Sequence, residues 1–461
     1  MSNVTTQHSQ YGKMSSRWEL CRSEWGGEHE MHAAGTIYLP KLHEEENDAY
    51  AARLAMSPFF NAFYRTISGL RGMIFRKPPV IEAPPTILEM LKDVDLAGTS
   101  IDALAYKVAG EALIVGRVGL LVDYPEADPD ATMADASRLN LRPMIKLYKA
   151  ESIYNWRRGR VNNDTVLVWV QLEEEITTVD PDNEFKVKEE KSYRVLDLVN
   201  GAYRQRLFKK VDNEAGQEQI GNDLFPKMNG QPMNFIPFVV LGADCLGMDV
   251  EAPPLIDLAT TALHHYKQAT SYSRGCFFSG LPTMFVSGVN AAETEIAIGG
   301  AIANILPRPD SKAYYVEVAG EFAALRTNLE DKKREMAVLG ARMLEQQKAG
   351  VEAADAIARR QSGEESLLSA TAQIIGEGLT VALRWFGDWA SVAGEVSVEL
   401  NRDFLPAGMT SQGLAALVTA WQQGAISQET LFDNLKAGEV IGTDVTFETE
   451  QERIASTTPS F

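Results

Sequence analysis

Apolar residues recur at helical spacing from Glu44 to Arg76, where Tyr50, Leu54, Pro58, Phe59, Phe63, Ile67 and Leu70 fall on one stripe. Pro58 removes a backbone donor within that stripe, so the pattern predicts two helices with a break between them. Lys77-Pro78-Pro79 ends the run. Ile87 to Leu96 and Ile101 to Gly116 are two further helical patterns, with Thr99-Ser100 placed to cap the second. Residues 1 to 35 are polar, with scattered aromatics (Tyr11, Trp18, Trp25), and read as an arm.

After Gly116 the period changes. Val118 to Tyr124 is a short apolar run ended by Pro125, which predicts a buried strand. The acidic stretch Glu126 to Asp135 has no period and reads as a loop. Met144 to Tyr148, Val166 to Leu172, Phe185 to Leu196, Tyr203 to Phe208 and Phe235 to Leu241 are further strands. Turn formers separate them, among them Asp180-Pro181-Asp182-Asn183 and the type I′ hairpin signal Asn200-Gly201. The first half is therefore α+β, helices first and then a mostly antiparallel sheet.

Pro253-Pro254 opens the second half. Leu255, Leu258, Ala259, Ala262, Leu263, Tyr266, Ala269 and Tyr272 mark a helix running to about Phe278. A short α/β insert follows, with strands at Thr283–Ser287 and Ala313–Val318 and a helix at Ala291–Asn304. Glu321 to Gln347 is the longest clean helical pattern, about 40 Å at 1.5 Å per residue. Phe322, Leu325, Leu329, Met336, Leu339 and Met343 occupy its a and d positions, and Lys332 and Gln346 fill the interrupted slots. Gly350 ends it. Val351 to Ser391 is helical with an interruption near Gly363, and Val396 to Phe404 reads as a strand. Thr410 to Gly438 forms two helices joined at Gly424-Ala425-Ile426-Ser427, with Ser427 as an N-cap. The last dozen residues are polar.

Composition narrows the function classes. The 461 residues are 45% hydrophobic and 23% charged, enough to bury a large core without metals or disulfides. Lys and Arg number 44 against 63 Asp and Glu, a net charge of −19. That argues against a protein that coats nucleic acid, though not against one that lets DNA slide past. Cys21, Cys245 and Cys276 are distant and odd in number, which fits a reducing compartment. The start lacks a basic and apolar signal pattern, and no uncharged apolar run reaches the ~20 residues of a bilayer span. A soluble, cytosolic protein is expected.

Catalytic signatures are missing. The chain has no phosphate-cradling GxxxxGK[ST] loop, no GxSxG elbow, no GxGxxG turn and no HExxH pair. Glu28-His29-Glu30-Met31-His32 could place two histidines on one helix face, but with no third ligand cluster nearby it reads as polar surface. His264 and His265 point about 100° apart on a helix, so one packed and one exposed is the better reading. Glu173-Glu174-Glu175 reads as a solvated strand end rather than a metal cluster. Glu44-Glu45-Glu46 suits a helix N-terminus. Arg359-Arg360 could face DNA or be a solvated helix face. No catalytic residue, metal site or cofactor is nominated.

Several segments in order are similar to a known family. Tyr50-Ala51-Ala52-Arg53, Phe59-Phe60-Asn61, the run Gly69 to Pro78 and the run Gly116 to Pro125 resemble the portal (head–tail connector) proteins of tailed double-stranded-DNA bacteriophages. So do Arg142-Pro143, Tyr148, Ala150 to Ile153, Asn155-Trp156-Arg157, Ile236-Pro237-Phe238, Pro253 to Ala259, Pro282-Thr283, Leu339 to Arg342 and Leu400 to Phe404. The resemblance covers roughly residues 36 to 440, and its persuasive part is the order rather than any single motif.

The resemblance implies a portal-type α+β fold. Its parts would be an α/β wing (1–252), a long stem helix (253–279), a small α/β clip (280–320), a second long stem helix (321–347), a helical tunnel loop with its following helix (348–395), and a wing return strand with a small helical crown region (396–461). It further implies a ring, usually of twelve copies, at one capsid vertex of the virion, assembled in the host cytoplasm. Genomic DNA would pass through its channel during packaging and ejection. Implied partners are the major capsid protein, scaffold, large terminase, a head–tail adaptor and duplex DNA, with no membrane and no enzymatic activity. DNA-channel candidates are Lys348, Arg359 and Arg360. Clip docking candidates are Arg308, Asp310 and Lys312. Stem packing falls to Phe322, Leu325, Leu329, Lys332, Met336, Leu339 and Met343. A different virion structural protein, such as a head–tail adaptor or minor capsid protein, is the alternative.

Overall fold

The structure is a computed structural model that describes residues 4–125, 138–180, 183–210, 217–280, 283–288, 310–316, 322–340, 354–402, 404, 411–437, 440–442 and 445–457. The chain divides into two compact units, Met1–Leu400 and Asn401–Phe461.

The first unit opens with helices α1 (Ser9–Gly26), α2 (Glu28–Ala34), α3 (Asn47–Ala55), α4 (Ala62–Ile74), α5 (Pro85–Met90) and α6 (Ile101–Val115). Their limits follow from local chemistry. Pro58 lies in the gap between α3 and α4, and the Asn61 side chain accepts from the Tyr64 amide to cap α4. Ser100 caps α6 through the Ala103 amide, and Gly116 closes it in the left-handed region at φ 74°. The Asp95 carboxylate accepts from the Ala97 and Thr99 amides, turning the chain after α5.

Strands β1 (Val80–Glu82) and β2 (Arg117–Asp123) interleave with these helices, and β3 (Met144–Lys149) follows. Then come β4 (Ile153–Val161), β5 (Asp164–Asp180), β6 (Asn183–Val199), β7 (Ala202–Lys210) and β8 (Gln217–Leu224). These last five form one antiparallel sheet in sequence order. The short pair β9 (Lys227–Met228) and β10 (Gln231–Pro232) precedes β11 (Phe238–Gly242), which pairs with β2 to give a second sheet of order β11-β2-β3. Asn200 and Gly201 take φ of 50° and 79° between β6 and β7, the geometry that a type I′ turn requires.

Every residue of β2 is buried, and alternation explains how. Gly119 comes close to Ile153, Arg117 stacks on Trp156, and the Asp123 carboxylate accepts from Gln205, so this face meets the five-stranded sheet. Val118, Leu120 and Val122 project the other way, toward the helical side of the sheet. The helical layer is α6 together with α9 (Ala354–Trp389), which crosses β11 and β2. Two glycines let α9 lie close. A Cβ at Gly376 would sit 2.8 Å from the Val398 carbonyl, and one at Gly378 only 2.2 Å from Leu241. Beside α9, β14 (Ser397–Glu399) pairs antiparallel with β1.

Four features depart from the expectations above. Residues 1 to 35 are not a loose arm: α1 and α2 bury Tyr11, Trp18, Cys21 and Met31. The Arg22 guanidinium pairs with Glu111 and Glu151, tying α1 to α6 and to the start of β4. The segment expected to be interrupted near Gly363 is one continuous helix, Ala354–Trp389. Glu174 is not a solvated strand end; it lies buried against Arg194, Lys146 and Tyr148. The return strand is only three residues long. The loop expected at 126–135 is outside the described residues.

The second unit holds α10 (Ser411–Gln422), α11 (Gln428–Ala437) and α12 (Phe447–Thr457). Ser427 caps α11 through the Thr430 amide, and Leu431 and Phe432 are buried, with Phe432 edge-on to Phe447.

Candidate functional site

Two helices and a strand hairpin form a shaft on the first unit. The first helix, α7 (Ile256–Gly280), begins just after Pro253-Pro254, and the second is α8 (Ala323–Leu339). They run antiparallel. At one end the Phe322 ring lies so close to Gly275 that a Cβ there would be 2.7 Å away. At the other end Gly340 approaches Thr66 of α4 and Leu258 of α7.

The inner half of α7 belongs to the core. Leu258, Ala259, Ala262, His265, Tyr266 and Ala269 are buried, and His264 is exposed on the opposite face. His265 rests 5.8 Å from the Phe60 ring and neither ring nitrogen has a hydrogen-bond partner. Burial, with the nearby Lys333 cation, pushes its pKa down to about 4, so it is neutral at pH 7. From Ser271 to Phe277 none of the described side chains is buried, so the outer turns of α7 leave the core. Arg274 fixes this part to the body through Glu45 at 3.5 Å; Glu45 also takes two hydrogen bonds from Arg53, which hold its carboxyl at about 2.

The a/d seam of α8 is only partly covered. Met336 is buried, Phe322, Leu325, Leu329 and Lys332 are half-buried, and Leu339 is 38% exposed. Met343 lies outside the described residues. Lys332 pairs with Glu335 at 2.6 Å, and Arg326–Glu330 and Arg334–Asp331 pairs line the outer face. Such exposed pairs contribute at most about 1 kcal/mol each. Beside them Val338 is 51% exposed.

Between the two helices stands a hairpin of β12 (Thr283–Ser287) and β13 (Lys312–Val316). Phe285 faces Tyr314 across it, their rings stacked at 6.0 Å and both about half exposed. Ser311 donates to the Gly288 carbonyl at 3.0 Å, and Asp310 and Lys312 are exposed beside that contact. Arg308 is outside the described residues, as is the helix expected at 291–304.

Lys348 is outside the described residues. Arg359 and Arg360 lie in the early turns of α9, not beside a break in it. Among the described residues no group of three or more His, Cys, Asp or Glu side chains could hold a metal ion, and no helix is long and apolar enough to cross a membrane. Glu28 and His32 serve the fold instead. Glu28 accepts from the Phe59 amide, and His32 Nε2 bonds the Ser57 carbonyl at 2.8 Å.

Sequence reasoning missed two charged features of the first unit. One is the buried cluster of Glu174, Arg194 and Asp123. The other is the arginine-rich strand β4, whose residues Arg157, Arg158 and Arg160 are exposed in a chain of strongly negative net charge.

A family profile described as a domain of unknown function, DUF4055, matches residues 254–390, from the start of the shaft to the end of α9. No curated protein matches the chain. Solved structures give distant likenesses. One is a chain in the virion of a native gene transfer agent particle, with 10% identity over 93% of this chain and 99% of that one, at a TM-score of 0.39. Another is in the neck of the empty particle computed with C6 symmetry, with 11% identity over 93% and 100% at 0.39. A third is in the neck of the native particle computed with C12 symmetry, with 12% identity over 87% and 98% at 0.36. Scores this low do not establish a shared fold.

Proposed function

We propose that this chain is a portal-type subunit of a tailed double-stranded-DNA phage, a virion protein that closes into a ring and passes DNA through its centre. The observation that carries this reading is the shaft. Two antiparallel helices bracket a strand hairpin, and the seam that a single chain would bury stays half bare from Phe322 to Leu339. A half-covered a/d seam is stabilised when a second copy lies along it, and the same contact repeated head to tail closes a ring. The sequence resemblance independently supports the order wing, shaft, hairpin, shaft.

In this reading the β12–β13 end of the shaft is the docking face for the large terminase and then the head–tail adaptor, with Arg308, Asp310 and Lys312 as its charged candidates. Lys348, Arg359 and Arg360 are candidates for the channel wall. The subunit performs no covalent chemistry, and packaging energy comes from a separate ATPase. A net charge of −19 per chain suits a conduit, since tight phosphate binding would hold DNA in place.

Native mass spectrometry tests the reading. Twelve chains of 50.8 kDa give a particle of about 610 kDa. Leu325→Asp with Leu329→Asp should shift the population to monomers that keep their far-ultraviolet circular dichroism. Wild-type protein that remains monomeric or forms only two-fold dimers across low and high salt would overturn the ring.

A further inference from the structure

The five-stranded sheet of the wing differs sharply at its two ends. Strands β5 and β6 are each 17 residues long, far more than the body of the sheet uses. From Glu175 to Lys191 they run out as a hairpin arm, paired through Val179–Val187 but almost wholly exposed. Val179 and Val187 face each other, and Phe185, two residues away, shares their face. Their exposures are 59%, 55% and 89%. On the same arm Glu184, Glu189 and Glu190 are exposed and make no ion pair among the described residues, whereas Lys186 and Lys188 both reach toward Asp180.

The opposite end of β5 adjoins the edge strand β4. The inner part of that edge is taken: the Tyr154 carbonyl accepts from the His8 amide, and Asn155 donates to the Thr6 carbonyl. Beyond Trp156 the outer edge has no strand partner among the described residues. It is basic. Arg157 lies over Trp169 at 4.6 Å, Arg158 pairs with Asp249 at 3.0 Å, and Arg160 has no ion pair among the described residues.

An exposed aromatic and two valines on a strand pair are an aggregation liability unless something covers them. The arm's free carboxylates and the free arginine at the β4 edge are of opposite sign, yet they cannot meet within one chain. Arg160 is paired with Thr165 at the start of β5, and Val179 lies at its far end. At 3.3 Å per residue that separation is about 45 Å. We infer that the β5–β6 arm is a strap that docks on the outer edge of β4 in a second copy of this chain, its Phe185 face covered and its carboxylates set against Arg157 and Arg160. The contact joins one end of a subunit to the other end of the next, so it is heterologous and propagates around a ring. The inference rests on the ring reading above and adds to it a wing-to-wing contact separate from the shaft.

Cross-linking the full-length chain tests it. The background is Cys245→Ser with Cys276→Ser, leaving only the buried Cys21. Val187→Cys and Val161→Cys, the latter beside Arg160 and leaving it in place, are added singly and together, both at exposed positions, and a bismaleimide much shorter than the intrachain separation is applied. The double variant should give a denaturant-resistant ladder of multimers, and each single variant only monomer. Dimers from Val187→Cys alone would overturn the strap, because arms would then meet each other about a two-fold axis. Absence of a ladder from the double variant, while its rings persist in native mass spectrometry, would also overturn it and leave the ring standing. If neither rings nor a ladder form, both readings fall together.

Discussion

Glu174→Gln isolates the buried ion cluster beside the five-stranded sheet. Arg194 donates to the Glu174 carboxylate through Nε at 2.8 Å and Nη2 at 3.2 Å, Lys146 approaches at 2.9 Å, and the Tyr148 hydroxyl donates as well. These partners hold the carboxyl at about 2, against an ordinary 4.5, despite the cost of burial. That lowering corresponds to about 3 kcal/mol of preference for the carboxylate in the folded state. It agrees with the ~3–5 kcal/mol expected when one member of a buried pair is removed. The pH dependence has a definite sign. A depressed carboxyl stabilises the fold above its unfolded pKa and loses that contribution as pH falls toward its folded value. The gap between wild type and Glu174→Gln should therefore be about 3 kcal/mol at pH 6 and roughly half that at pH 3. Asp123, whose pKa burial raises, works in the opposite direction, but it is present in both proteins. Urea unfolding followed by tryptophan fluorescence at the two pH values measures the gap, since Trp156 and Trp169 lie in the same sheet. A gap below about 1 kcal/mol at pH 6, or one that does not narrow at pH 3, would refute the reasoning.

Two further predictions concern packing. Trp18→Ala should cost about 3–5 kcal/mol, because the ring is fully buried beneath α1; a cost near zero in the same unfolding assay would return the N-terminal segment to the role of an arm. Gly376→Ala pushes a methyl toward the Val398 carbonyl, with backbone rather than a flexible side chain in the way. It should cost about 1–3 kcal/mol, and an unchanged unfolding midpoint would show that α9 is not seated on β14.

Much of the architecture was legible because burial enforces a period. The stripe from Leu258 to Ala269 and the apolar run of β2 face packed layers, so their hydrophobic spacing survives in the sequence. The N-terminal helix was equally visible in principle. Tyr11, Met14, Trp18, Cys21 and Trp25 recur at three and four residues, and the polar residues between them concealed a narrow stripe. The arm left no hydrophobic period because neither of its faces is buried, and cross-strand pairs such as Thr178–Lys188 replace apolar alternation. Strand β4 was hidden by its arginines, although Ile153 and Trp156 are buried at its inner end. Gly363 suggested a break in α9, but one glycine costs a helix only about 1 kcal/mol. The packed second half of that 36-residue helix, from Leu368 to Trp389, anchors it. The shaft seam was readable as a heptad, but its half-bare state depends on three-dimensional neighbours that no period reveals.

The pairing of β1 with β14 joins residues 80–82 to residues 397–399. During synthesis the early partner waits for the late one while the intervening 300-odd residues are made. At about 5–20 residues per second that delay is roughly 15–60 s. The groove that α9 fills on β11 stays open for a little under half as long, roughly 7–27 s at the same rate, leaving Leu241 and its neighbours uncovered on every nascent chain. On a polysome many such chains sit close together, so the first unit is most vulnerable to premature association before its own fold is complete. On the ring reading proposed above, assembly with further copies must therefore wait until the chain's own C-terminal third has left the ribosome.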